Sequence, residues 1–342
     1  MTNTILITGG TGYIGSWTVK YALEAGHTVR LAVRDKNQKF KYDYLQKFAE
    51  ESTGTLEIWE GDLLKKGSYD EMAVGCDQIF HIASPFTLRF KDAQKDLLEP
   101  AIKGTENVLE AANKSGSVKI VVLTSSVASV FGDNIDMKNQ GLSEFSEENW
   151  NTTSSATHQP YSFSKVSAEK KAWEINKQQS SWELKVINPS FVMGPVLSKS
   201  SNSESIQFMK DMMSGKFAMG APDLYFGFVD VRDVAKAHLL AASNTLIKGR
   251  CILAEETDSV MKLVNTVKEN FGTKYKIASS TAPKWLFKLI GPLFGVTRKF
   301  VTHNVGIPIK LNAQKSKQEL GLKYHDFKDT VVDMIHSLEK GK

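Results

Sequence analysis

Cysteine is almost missing: Cys76 and Cys251 are the only two in 342 residues. Two cannot build a disulfide framework. Neither sits in a Cys-x-x-Cys or Cys/His spacing, so no metal site is expected. Long blocks of one charge are also missing. The 43 Lys and Arg are spread along the chain against 38 Asp and Glu, for a net charge of +5. That points away from nucleic-acid or membrane partners and toward a small anionic ligand. No apolar run is long enough to span a bilayer. The longest late cluster, Trp285 to Phe294, is broken by Lys288, Gly291 and Pro292, and is expected as a core helix or a lid. Met1-Thr2-Asn3-Thr4 leads into apolar residues without a basic stretch or cleavage site. No signal peptide is expected, and a reducing, cytoplasmic setting fits. No internal repeat of 20–50 residues is visible.

What is present is a globular composition, 41% hydrophobic and 24% charged, with length for one large domain or two smaller ones. Short apolar runs alternate with helical patterns. Ile5-Leu6-Ile7, Thr28 to Val33, Leu56 to Glu60, Gln78 to Ala83, Lys119 to Thr124 and Leu184 to Asn188 read as strands. Gly15 to Ala25, Lys39 to Glu50 and Leu97 to Lys114 read as helices between them. Near-continuous apolar strands predict βαβ units and a parallel sheet buried on both faces. Residues 133–159 are polar and predict a surface excursion. Residues 198–206 predict a mobile loop. The last ninety residues lose the alternation and predict a smaller lobe.

The first strand ends in Thr8-Gly9-Gly10-Thr11-Gly12-Tyr13-Ile14-Gly15. The run contains both Gly10-x-Gly12-x-x-Gly15 and Gly9-x-x-Gly12-x-x-Gly15. Glycines permit a tight turn and close backbone approach to a pyrophosphate, while the helix N-terminus offers unpaired N–H groups. The position between a strand and a helix is the context that gives this otherwise weak motif meaning. The second strand ends Val33-Arg34-Asp35. A guanidinium pairs with a 2′-phosphate that a carboxylate would repel, so NADP(H) is favoured and Asp35 keeps NAD open. Asp62-Leu63, after the third strand, are candidates to cap the adenine, or Asp62 simply caps a helix.

Tyr161 and Lys165 are four residues apart and share a helix face. Tyr324 and Lys328 have the same spacing, so context must separate the pairs: only the first follows a strand ending Thr124-Ser125-Ser126 within the nucleotide fold. The three residue types belong together chemically. A phenol can protonate a carbonyl oxygen that gains charge on hydride transfer, an ammonium lowers the phenol's pKa, and a serine hydroxyl holds the oxygen. Ser125 and Ser126 both qualify by type.

These segments resemble the extended branch of the short-chain dehydrogenase/reductase family, within it the dihydroflavonol 4-reductase-like and ketoreductase (carbonyl reductase) group. The resemblance continues through Gly61-Asp-Leu63, His81-Ile-Ala-Ser-Pro85, Gly104-Thr-Glu-Asn107, Asn188-Pro-Ser190, Gly194-Pro195, Phe228-Val-Asp-Val-Arg-Asp233 and Lys315 to Leu322. It implies a Rossmann-type, doubly wound parallel sheet with a smaller, mostly C-terminal substrate lobe. It implies Tyr161 as general acid, Lys165 on the nicotinamide ribose, and Ser126 rather than Ser125 as the catalytic serine. Gly9, Thr11, Gly12, Tyr13, Ile14 and Gly15 would line the pyrophosphate, and Arg34 and Lys41 the 2′-phosphate. Asp62, Leu63, Ala83, Ser84, Pro189 and Val192 would run along the rest of the cofactor.

One departure bears on the substrate. Flavonoid reductases carry an asparagine five residues beyond the catalytic serine, where this chain has Phe131. Phe131 and Phe86, with Phe163, Met193 and Tyr225 or Phe226, instead suggest an apolar pocket for ketones and aldehydes with hydrophobic groups. The expected division is 1–190 plus about 227–254 for the NADP domain, and about 191–226 plus 255–342 for the substrate lobe, in a monomer or homodimer. The reading is an NADPH-dependent carbonyl reductase. A nucleotide-sugar epimerase or dehydratase would need a basic diphosphate site in the second lobe. A non-catalytic NADP-sensing regulator would lack the Tyr/Lys pair.

Overall fold

The computed structural model describes residues 2–84, 91–198, 201 and 203–340, the side chains of residues 290, 293 and 294 excepted. The chain alternates β1 (Thr4–Thr8), α1 (Tyr13–Glu24), β2 (Thr28–Val33), α2 (Asp43–Glu50), β3 (Thr55–Glu60), α3 (Asp70–Ala73), β4 (Gln78–His81), α4 (Glu99–Ser115) and β5 (Ile120–Thr124). It continues with α5 (Asp136–Asn139), α6 (Pro160–Lys177), β6 (Glu183–Pro189), β7 (Phe191–Met193), α7 (Glu204–Met213), β8 (Tyr225–Asp230), α8 (Val231–Ser243), β9 (Gly249–Leu253) and β10 (Glu256–Ser259). The remainder is helical: α9 (Val260–Phe271), α10 (Lys284–Ile290), α11 (Arg298–Asn304), α12 (Gln314–Gln318) and α13 (Phe327–Lys340).

Seven strands form one sheet in the order β3-β2-β1-β4-β5-β6-β9, every neighbouring pair parallel. The apolar runs of β1, β4 and β5 are buried because helices cover both faces. The strand order reverses between β1 and β4, which opens a crevice at their carboxyl ends. Gly9 and Ala83 close its floor: a Cβ on Gly9 would lie 2.7 Å from the Ala83 Cα. Gly10, by contrast, points into the core, where a Cβ would meet Leu31 and Val19. Of the two overlapping glycine triplets, Gly9, Gly12 and Gly15 are therefore the ones at the crevice.

A second, three-stranded sheet has the order β10-β8-β7. Strand β8, grouped above with the nucleotide domain, belongs to the small sheet, and only α8 and β9 return to the large one. Residues 133–159 run along the surface, with 138–141, 152 and 153 exposed, but are anchored by the buried Asp133, Asn134, Asp136, Phe145, Asn151 and His158. Their polar groups are satisfied internally, which composition cannot show. Residues 204–206 open α7, capped by the Ser203 side chain on the Ile206 N–H, rather than a loop. The helix expected over 39–50 is a 3₁₀ turn followed by α2, interrupted at Tyr42. In α10, Trp285 and Leu289 are 66% and 63% exposed, so this stretch is not a core helix. No helix among the described residues is long and apolar enough to cross a membrane.

The turn before α1 has no slack. A Cβ on Gly15 would stand 2.1 Å from the Gly9 carbonyl oxygen and 2.7 Å from the Gly10 Cα, both backbone atoms. Gly15→Ala is expected to cost about 1–3 kcal/mol and lower the thermal unfolding midpoint. A wild-type midpoint would show that the turn is looser than this packing requires.

Candidate active site

The crevice is the mouth of a cleft of about 800 Å³. At one end, Gly12 precedes α1 with no side-chain cap, so the first-turn N–H groups have no side-chain partner there. Gly9, Thr11, Gly12, Tyr13, Ile14 and Gly15 all line the cleft. Helix α1 is tied to the segment just after β7: the Tyr13 hydroxyl donates to the Gly194 carbonyl at 2.5 Å, and the Trp17 indole N–H to that of Pro195 at 2.8 Å. Arg34 and Lys41 line the end of the cleft beyond β2, and neither forms an ion pair among the described residues. Asp35 is occupied: it accepts from the Asn37 N–H at 2.8 Å and the Gln38 amide at 3.1 Å, bonds that hold its carboxyl below the usual range. Two free cations and a committed carboxylate suit a 2′-phosphate better than a ribose diol.

The middle of the cleft is lined by Leu63, Ala83, Ser84, Pro189 and Val192. Asp62 does not line it. Its carboxylate accepts from the Leu64 N–H at 2.8 Å and closes its own turn. That bond closes a turn rather than capping a helix, since the next helix begins at Asp70. Phe86 lies outside the described residues.

Ser126, Tyr161 and Lys165 meet at the other end, brought there by the end of β5 and the first turns of α6. Ser125 and Ser126 are separated by what holds them. Ser125 is buried, and its hydroxyl donates to Glu169 at 2.5 Å and pairs with Ser129 at 2.8 Å. Ser126 is half-buried, lines the cleft as Ser125 also does, and its oxygen accepts from the Ala128 N–H at 3.1 Å. The Lys165 ammonium donates to the Thr124 carbonyl at 3.1 Å, and burial lowers its pKa to about 8, with Glu169 pulling the other way. Tyr161 departs from the expectation of an acidified phenol. Burial, reinforced by the Glu204 carboxylate, pushes it well above its ordinary value. The phenol is thus fully protonated at neutrality. Tyr324 and Lys328 take no part: the Tyr324 hydroxyl pairs with Ser316 at 2.7 Å, away from the cleft.

The walls around these three residues mix polar side chains, Asn134, Gln159, Ser190 and Asn304 among them, with a set of apolar ones. Phe131, Phe191, Leu224, Tyr225, Phe226 and Phe300 belong to the apolar set. Phe131 stacks on Phe145 at 4.5 Å. Met193 is core and Phe163 is not part of the lining, so neither shapes the pocket as expected.

A sequence profile described as the NAD dependent epimerase/dehydratase family matches residues 5–251. The chain belongs to this family. Its likeness to the extended short-chain dehydrogenase/reductases, read above from motifs, is borne out over nearly the whole length. Among its relatives in this family, cinnamoyl-CoA reductase CAD2 of Medicago truncatula is 32% identical over 343 residues, covering 99% of this chain and 97% of the relative. The putative NADPH-dependent methylglyoxal reductase GRP2 of Candida albicans is 31% identical over 354 residues, covering 97% of each. A crystal structure of Gre2 from Candida albicans in complex with NADPH superposes with a TM-score of 0.79 at 29% identity, covering 99% of both chains.

One cluster beside the Tyr161 end of the cleft was not legible in the sequence. The buried Asp133 carboxylate accepts from His158 Nε2 at 2.7 Å, His303 Nδ1 at 2.9 Å, Asn304 Nδ2 at 2.7 Å and Gln159 Nε2 at 2.6 Å. Burial alone would raise this carboxyl, but bonds from His303, Asn304 and His158 outweigh it and hold it low. Gln159, the residue before α6, is the one non-glycine at positive φ among the described residues, at 53°. Its amide also donates to the Gly132 carbonyl at 2.5 Å. Asp133 therefore fixes the strained entry to the Tyr161 helix against α11. The side-chain atoms of Asp133, His158 and His303 lie within 4.8 Å of one another, a cluster that cysteine spacing did not weigh. The two histidine nitrogens contact the carboxylate at hydrogen-bond distance, whereas ligands around tetrahedral zinc stand about 3.3 Å apart. The geometry is that of a hydrogen-bonded hub.

Asp133→Asn turns one acceptor oxygen into a donor facing two other donors. We expect a loss of about 1–3 kcal/mol in chemical denaturation. Unchanged stability would mean that the four bonds do not hold the wall together.

Proposed function

We propose that this NADPH-dependent oxidoreductase of the extended short-chain dehydrogenase/reductase family reduces ketones or aldehydes bearing hydrophobic groups to alcohols, with Tyr161 as the proton donor. One observation carries the reading: Ser126, Tyr161 and Lys165 line the same cleft as the glycine turn, with Phe131, Phe191, Phe226 and Phe300 also in its lining. The cleft residues fit the cofactor, with backbone N–H groups for a pyrophosphate and Arg34 and Lys41 for a 2′-phosphate. Bound there, NADPH supplies the hydride.

The chain's own residues do the rest. The apolar side chains of the walls hold the substrate's hydrophobic group and exclude water. The Ser126 hydroxyl hydrogen-bonds the carbonyl oxygen and orients it. Tyr161 Oη, kept protonated by its surroundings, gives its proton to that oxygen as negative charge develops. The nearby Lys165 ammonium favours the phenolate that results. An epimerase acting on nucleotide sugars is less well supported. Arg34 is the only arginine lining the cleft among the described residues, and it lies at the end away from Tyr161.

NADPH consumption with a panel of aryl and alkyl ketones tests this reading. Tyr161→Phe is expected to lower turnover by about 10²–10⁴-fold while NADPH still binds. Wild-type turnover in that variant would remove Tyr161 as the donor. Arg34→Ala is expected to reduce the preference for NADPH over NADH by about 10–100-fold. An unaltered preference would place the 2′-phosphate elsewhere.

A further inference from the structure

We infer that Glu169, a residue outside the cleft lining, is the positioning residue that holds Ser126 in place against the Tyr161 and Lys165 face of α6. The inference rests on the reductase reading above and adds to it a residue that acts through others. Tyr161, Lys165 and Glu169 follow one another at intervals of four on α6, so they share a helix face. The first two line the cleft and Glu169 does not. Glu169 is 1% exposed, and a carboxylate so deeply buried needs partners.

Those partners come from three strands of the large sheet as well as from α6. One oxygen accepts from the Ser125 hydroxyl, just past β5, at 2.5 Å and from the Asn188 amide, on β6, at 2.8 Å. The other stands 2.6 Å from Arg250 Nε, on β9, and accepts from the Trp173 indole N–H at 3.4 Å. Arg250 is itself fixed. It donates to the Glu147 and Asn149 carbonyls at 2.9 and 2.6 Å, and its guanidinium lies 3.9 Å from the centre of the Trp150 ring. Asn188 is the decisive link: the nitrogen that donates to Glu169 also donates to the Ser126 carbonyl at 3.1 Å. Glu169 is thus two hydrogen bonds from the Ser126 backbone and about two turns from Tyr161 on the same helix. A buried ion pair gains little over apolar residues of the same volume, so stability alone does not call for this one. A fixed spacing between the Ser126 and Tyr161 hydroxyls does, because reacting groups lose rate steeply when displaced.

The test measures ketone turnover, NADPH affinity and thermal midpoint in Glu169→Gln, in Asn188→Ala, in the two combined, and in Glu169→Leu/Arg250→Met. Each single change is expected to lower kcat about 10²-fold, with NADPH still bound. Both act through one link, so the combined variant is expected to lose no more than the worse of the two. Losses that multiply overturn the proposal. Glu169→Leu/Arg250→Met replaces the buried charges by apolar side chains and is expected to keep a midpoint near the wild-type value while kcat stays low. If kcat returns together with the midpoint, Glu169 serves stability only and the proposal falls. If the wild type reduces no ketone or aldehyde, it is the reductase reading that fails. Positioning is then read from crystal structures of the wild type and Glu169→Leu/Arg250→Met: a Ser126 displaced relative to Tyr161 supports it, and superposable residues overturn it.

Discussion

The contact of Gly9 with Ala83 sets the geometry on which the rest depends. Two backbone segments, one leaving β1 and one leaving β4, approach so closely that no side chain fits between them. That approach exists because β1 pairs with β2 on one side and β4 on the other, all parallel, so the strand order reverses at this point. From it follow the uncapped start of α1, the crevice beside it, and the distance over which β5 and α6 must deliver their side chains. Hydrogen bonds from Tyr13 and Trp17 to Gly194 and Pro195 then fasten the helix to the segment that leads toward the substrate end.

The electrostatics of the two ends differ. At the end beyond β2, cations are exposed and a nearby carboxylate is held ionised by hydrogen bonds within its own turn. At the reacting end, Lys165 is buried and weakened to a pKa of about 8, and the phenol is held firmly protonated. For the proton transfer proposed above, a resting state in which the phenol keeps its proton is well suited. Burial strengthens every such interaction because little water competes.

Much of this was legible in the sequence where the signal is local. The glycine run, the alternating apolar strands and the Tyr161/Lys165 spacing each depend on residues a few positions apart, and the large sheet contains the strands those runs predict. Ser126 could be separated from Ser125 only through Glu169, 44 residues away. Gly9 and Gly10 are interchangeable as letters and opposite in the fold, since one faces the crevice and the other Leu31. Polar composition at 133–159 hid its anchors, because polar groups that satisfy one another, as Asp133 and His158 do, are buried as readily as apolar ones. The strand at Tyr225–Asp230 has the pattern of a sheet strand, but nothing in its own residues says which sheet.

The four bonds to Asp133 join positions 25 to 171 residues distant along the chain. Residues 133, 158, 159, 303 and 304 therefore form one heritable unit: an exchange at any one of them alters the acceptors or donors available to the others. A chimaera that takes its C-terminal portion from another family member inherits the partners of some other residue at this place. Grafting new specificity onto this scaffold thus requires moving the loop after β5 and α11 together, as a matched pair.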